Sequence, residues 1–82
     1  MMEREEIRKQ LLDLACENFE QELIDCSKNL FDYSVDAYQL LYFAISIENK
    51  FNVSSEKIFE NTNYMFITLD NLAEKIYDQV KE

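Results

Sequence analysis

Two hydrophobic cores cannot be completed from the apolar surface of 82 residues, so the chain reads as one domain, residues 1–82, around a single modest core. Apolar residues make up 48% and charged residues 30%, too hydrophobic a mixture for a disordered acidic tail despite the net charge of −9. The longest uninterrupted apolar run, Leu40 to Ile45, falls far short of the roughly 20 residues that cross a bilayer. Met1 to Gln10 is densely charged and has no apolar signal-peptide centre. A cytoplasmic monomer without a membrane span is the expectation.

The charge balance narrows the partners. Seventeen acidic residues against eight basic ones repel phosphate backbones and anionic lipid, which leaves basic or neutral protein surfaces rather than nucleic acid or membrane. With no His and only Cys16 and Cys26, zinc sites of the common Cys/His kind have no ligand set, and no metal is expected. Missing His also removes the usual base near neutral pH, and with it Ser-His or Cys-His nucleophilic chemistry, so the chain reads as a non-enzyme. Gly and Pro are both absent, so a loop that cradles phosphate by close backbone approach has no glycine to build it. A Cys16 to Cys26 disulfide is disfavoured in a reducing compartment. Nothing basic except Lys28 lies near Cys26 in sequence to activate its thiol.

Hydrophobic periodicity organises the rest. Ile7, Leu11, Leu14, Ala15 and Phe19 predict a helix from Glu3 to about Glu20, with Glu6, Asp13, Glu17 and Glu20 grouped on its opposite side as a solvated face. Gln21 to Val35 has no sustained period and reads as a long ordered loop pinned by Leu23, Ile24, Leu30 and Phe31. Asp36 is the expected N-cap of a second helix, Ala37 to Lys50, with Leu40, Leu41, Ala44, Ile47 and Phe51 as its core stripe. Tyr38, Tyr42 and Ile45 form an apolar flank beside that stripe. Such circumference fits either a central helix surrounded by its bundle or a partner-facing surface. Ser54 and Ser55 predict the cap of a short third helix through about Asn61, which Asn61 to Asn63 then breaks. Tyr64 to Ile67 reads as a connector packed on the core, with a strand as the alternative. Thr68 caps the last helix, in which Leu69, Leu72, Ala73, Ile76 and Val80 keep the helical period. The fold class expected is all-α, three longer helices and one short helix with a long first loop.

This order of elements, with the segment FDYSVDAYQLLYFAISIENKF, resembles the acyl carrier protein family along nearly the whole chain. Those carriers open their second helix with an acidic residue, a hydrophobic residue, glycine, a variable residue and then Asp-Ser-Leu. Asp32, Tyr33, Ser34, Val35, Asp36, Ala37 and Tyr38 occupy those places here, so the Asp is kept and the serine is not. Ile47, Glu48 and Phe51, and later Thr68, Leu69, Leu72 and Ile76, match further family positions. The resemblance implies an acyl-carrier-like bundle whose attachment position, Asp36 and Ala37, is degenerate, because the methyl of Ala37 cannot accept phosphopantetheine.

No cofactor is therefore expected. The alternative is a functional acyl or peptidyl carrier bearing phosphopantetheine on Ser34, which requires the helix to start earlier than Ala37. The family's partners read acidic residues on helix two, whereas Tyr42 and Asn49 stand where carriers commonly show carboxylates and Glu48 is the only acid between Ala37 and Lys50. The chain also resembles acyl-carrier-related proteins of bacterial peptide-maturation systems, which keep the carrier shape without its serine. That resemblance implies a non-enzymatic module that docks onto a biosynthetic or peptide-modifying enzyme, with Tyr38, Tyr42, Ile45 and Asn49 as the candidate partner-binding residues.

Overall fold

The computed structural model describes residues 3–60 and 67–80. Four helices follow in order: α1 (Arg4–Phe19), α2 (Ala37–Phe51), α3 (Ser55–Phe59) and α4 (Leu69–Val80), with one 3-10 turn at Leu30–Tyr33. Among the described residues there is no strand, and the all-α bundle of three longer helices and one short one is as the periodicity predicts. Helix α1 packs against both α2 and α4, and α3 closes against α2 and α4.

The α1 stripe Ile7, Leu11, Ala15 and Phe19 is buried, one residue per turn, while Leu14 is half-buried. Helix α4 answers with Leu69, Leu72, Ala73 and Ile76. Each fully buried aliphatic side chain in this core contributes about 1.5–3 kcal/mol relative to exposure. No polar or charged residue is buried among the described residues, so the core is a purely apolar one.

Helix α2 corrects one expectation. Leu41, placed in the core stripe by sequence, is 57% exposed, and Leu40 is only half-buried. Phe43 is instead fully buried, together with Ala44, Ile47 and Phe51. The physical reason is that α2 is apolar on nearly every side, so its pattern fixes a helix but not the helix's rotation. What fixes the rotation is an aromatic contact: Phe43 meets Phe19 of α1 edge-on, ring centroids 4.9 Å apart.

The first loop is ordered by both apolar anchors and backbone bonds. Ile24, Leu30 and Val35 are buried, whereas Leu23 and Phe31, also expected as anchors, are exposed. The Leu30 amide donates to the Ile67 carbonyl at 2.8 Å, and the Asp70 amide donates to the Cys26 carbonyl at 3.0 Å, tying the loop to the start of α4. Within the loop, the Asp25 amide donates to the Tyr33 hydroxyl at 2.8 Å. Helix α3 ends at Phe59, earlier than Asn61, and its cap Ser54 accepts from the Lys57 amide. The expected break at Asn61 to Asn63, and Tyr64 to Phe66 of the connector, lie outside the described residues, while Ile67 is buried. Thr68 caps α4 as expected, accepting from the Asn71 amide at 3.1 Å.

A chain without glycine must end its helices by other means. Glu20, Ser34 and Asn52 take left-handed backbone angles, with φ of 54°, 61° and 55°. They terminate α1, the 3-10 turn and α2 respectively. Asn accepts this conformation readily, whereas Glu and Ser do so against their own Cβ sterics.

Candidate functional site

Helix α2 is started by a complete capping box. The Asp36 carboxylate accepts from the Gln39 amide at 2.8 Å, and the Gln39 side chain accepts from the Asp36 amide at 3.0 Å. Ala37 is thereby the first helical residue, and it is exposed. Ser34 lies two residues ahead of the cap, exposed, with its left-handed backbone closing the 3-10 turn. Helix α2 therefore starts at Ala37 directly after its cap Asp36, where the sequence predicts its start.

From that start the outward face of α2 is apolar. Tyr38 is 74% exposed, Tyr42 63% and Ile45 45%, and Leu41 joins them through the rotation described above. At 100° per residue these four side chains and exposed Asn49 share the face turned away from Phe43 and Ile47. Sequence reasoning missed Leu41 as a member, although the unbroken run from Leu40 to Ile45 already holds more apolar side chains than one core contact can use.

Beside this face, between α2 and α3, opens an apolar groove of about 330 Å³. Among the described residues Phe31, Ala37, Leu40, Leu41, Ala44, Phe59 and Ile67 line it. Leu41 belongs to both surfaces and Ala37 sits at the groove's edge of the helix start.

Charge is nearly absent from α2 itself. Glu48 and Lys50 are its only ionic residues, and Glu48 is engaged by α3. The Ser55 hydroxyl and amide both donate to the Glu48 carboxylate, the amide at 2.9 Å, and these bonds hold its pKa below the ordinary Glu value. Exposed carboxylates are found instead on α1 and at its C-cap, at Glu6, Asp13, Glu17 and Glu20. The Ser46 hydroxyl donates to Asn18 at 3.4 Å, and the Asn18 amide side chain donates to the Leu14 carbonyl at 2.8 Å. These bonds mark the side of α1 that meets α2, and the exposed Asp13 and Glu17 lie further round the helix on its solvent side.

Arg4 and Arg8 of α1 turn towards α4. Arg4 pairs with Glu74 at 3.4 Å and lies 4.6 Å from the Tyr77 ring centroid, and Arg8 pairs with Asp70 at 2.9 Å, all on α4. No family model, curated protein or solved structure matches the chain.

Among the described residues no group of three His, Cys, Asp or Glu side chains could hold a metal ion, and no helix is long and apolar enough to cross a membrane. Cys16 is half-buried and Cys26 buried, both as free thiols. The sequence places only Lys28 near Cys26, but the fold brings Arg8 there. Its guanidinium is held further above the usual Arg range by the Cys26 side chain first and by Asp70 second. That contact joins residues 18 positions apart, so only tertiary structure reveals it.

Proposed function

We propose that this domain is an acyl-carrier-shaped interaction module, not an enzyme, which docks onto a biosynthetic or peptide-modifying enzyme in the cytoplasm without carrying a phosphopantetheine arm. The observation that carries the reading is Ala37. It occupies the first turn of α2 directly after the capping Asp36, exposed to solvent, where a carrier presents its serine hydroxyl; a methyl group has no nucleophile to offer there. The apolar outward face of α2 supports docking, because contiguous exposed apolar surface marks interaction sites in small soluble domains. Tyr38, Tyr42, Ile45 and Asn49 are the assigned contact residues, now with Leu41 beside them.

The test is intact mass after incubation with a broad-specificity phosphopantetheinyl transferase and coenzyme A. The expected result is an unchanged mass. Ala37→Ser is also expected to remain largely unmodified, since Tyr38 and an almost uncharged α2 replace the acidic surface that the resemblance associates with partner recognition. Stoichiometric gain of the arm by the wild-type chain, lost in Ser34→Ala, would establish the rival reading of a carrier modified at Ser34.

A further inference from the structure

The outward residues of α2 have the spacing of a helix-pairing seam. Tyr38, Tyr42, Ile45 and Asn49 stand four, three and four residues apart, the alternation that keeps a narrow stripe on one side of a helix and lets two helices interlock along it. All four are exposed, and exposed Leu41 widens the stripe on one side. This spacing reads the same from either end. An antiparallel second copy of the helix therefore meets it residue for residue, Tyr42 beside Ile45 of the second copy and Tyr38 beside its Asn49.

We propose that α2 is the interface of a homodimer, in which two copies of this chain pair antiparallel along the seam about a two-fold axis between Tyr42 and Ile45. Charge permits a second copy there in spite of the net charge of −9. The seam holds no ionic residue, and in this register Glu48 comes opposite Gln39 and Lys50 opposite Ala37, so no like charges face one another across the contact. Asn49 is the one seam residue whose amide needs a polar neighbour, and the Tyr38 hydroxyl of the second copy supplies it. A polar residue in such a seam fixes register and copy number at some cost in stability. Area is sufficient as well. At roughly 200 Å² for a whole Tyr side chain and somewhat less for Leu or Ile, the exposed parts of Tyr38, Leu41, Tyr42 and Ile45 come to roughly 450 Å² in each copy. With its polar rim the dimer buries about 1,000 Å² in total, the lower bound for a specific pairing, so it is weak and reversible. The pairing stands on the face itself and does not require the docking reading; where both hold, the second copy and the enzyme compete for Tyr38, Tyr42 and Ile45.

The test is analytical ultracentrifugation of the full chain from roughly 5 to 500 µM, the range in which so small an interface saturates. The average mass is expected to rise from that of one chain towards that of two and no further. Tyr42→Ala and Ile45→Lys are each expected to weaken the dimer at least about tenfold, with the melting temperature of the single chain checked for both. Two exposed positions are used so that an unfolded variant at one leaves the other to decide. Glu5→Ala, between α1 and α4, is expected to dimerise as the wild-type chain does. Register is read by mixing Tyr38→Glu with Asn49→Lys, which should pair more tightly together than either variant pairs with itself, because the antiparallel seam sets the two new charges side by side. Salt should strengthen the wild-type dimer, since it screens the repulsion of two acidic chains without touching an uncharged seam. A chain that stays single at roughly 500 µM would overturn the proposal and leave the face to a different protein. A dimer indifferent to both Tyr42→Ala and Ile45→Lys, a mixture no tighter than its parts, or a dimer that salt dissolves would overturn it equally. A mass gain at Ser34 in the transferase assay defeats only the docking reading and leaves the sedimentation result standing.

Discussion

Helices α1 and α2 bury similar stripes but present opposite faces to solvent. The outer face of α1 carries Glu6, Asp13, Glu17 and Glu20, and that of α2 carries Tyr38, Leu41, Tyr42 and Ile45. A solvated face costs a domain nothing, so α1 needs no explanation beyond solubility. An apolar face exposed over most of a helix gains nothing from water and is retained in small domains where something covers it. The difference teaches where to look for function: not on the charged helix, whose acids are nearly balanced by Arg4, Arg8 and Lys9, but on the almost uncharged one beside it.

The contrast breaks most sharply inside α2. Phe43→Ala should destabilise the domain by about 3–5 kcal/mol, because it removes the ring that locks α2 onto Phe19 and leaves a cavity in a closed core. Leu41→Ala should change stability by no more than about 0.5 kcal/mol, since its side chain is already mostly in water. Chemical denaturation of the two variants checks the pair. Similar losses would mean that α2 is rotated from the orientation described, with Leu41 in the core as its sequence pattern suggested.

That pair also marks the limit of what the sequence makes legible. For α1 and α4 the apolar residues occupy one stripe with polar residues opposite, so the pattern gives the helix and its buried face together, from Ile7 through Phe19 and from Leu69 through Ile76. For α2 the pattern has no polar side to set its phase, and Leu41 and Phe43 exchange roles as a result. The Asp36 and Thr68 caps were readable because a side-chain oxygen ahead of an apolar period has a local partner. The 3-10 turn at Leu30–Tyr33 was not, since its support comes from Ile67, far along the chain. Of the candidate site, Ala37, Tyr38, Tyr42 and Ile45 could be named from sequence, whereas Leu41 needed the rotation that the α1–α2 packing sets.

The two helices also begin differently. Asp36→Ala should cost about 1 kcal/mol by removing the carboxylate that accepts from the Gln39 amide in the capping box at α2. Glu3→Ala should cost only a few tenths, because Glu3 at the start of α1 makes no side-chain cap bond. Thermal melts of the two variants measure the difference, and an equal loss would show that the box contributes no more than an ordinary first-turn carboxylate.

Their ends differ in the same sense, with a smaller expected effect. Glu20→Gly should stabilise the domain by about 0.5–1 kcal/mol, since glycine takes the left-handed angle at the end of α1 without a Cβ clash, less the greater freedom it gives the unfolded chain. Asn52→Gly at the end of α2 should gain only a few tenths, because Asn already tolerates that angle. A loss of stability in Glu20→Gly would mean that its side chain makes a stabilising contact outweighing the backbone strain.

The smallest effect sharpens the comparison of the outer faces themselves. On α1, Asp13 and Glu17 stand four residues apart, so the pair lies on one side of the helix as like charges worth about 0.2–0.5 kcal/mol of repulsion, with Glu20 following at the C-cap. Glu17→Gln removes one member of that pair and should raise the melting temperature in dilute buffer. At about 1 M salt the Debye length shrinks to about 3 Å, shorter than the spacing of neighbouring turns, so the advantage over the wild-type chain should nearly disappear. Asn49→Gln on α2 changes no charge and should show no such salt-dependent difference, because the face around it has no like-charged row to relieve. The quantity to follow is the difference between variant and wild type across the salt series, which cancels general salt effects on the shared core. If that difference stays constant for Glu17→Gln, the gain comes from helix propensity rather than from repulsion, and the carboxylates are too well solvated to act on one another.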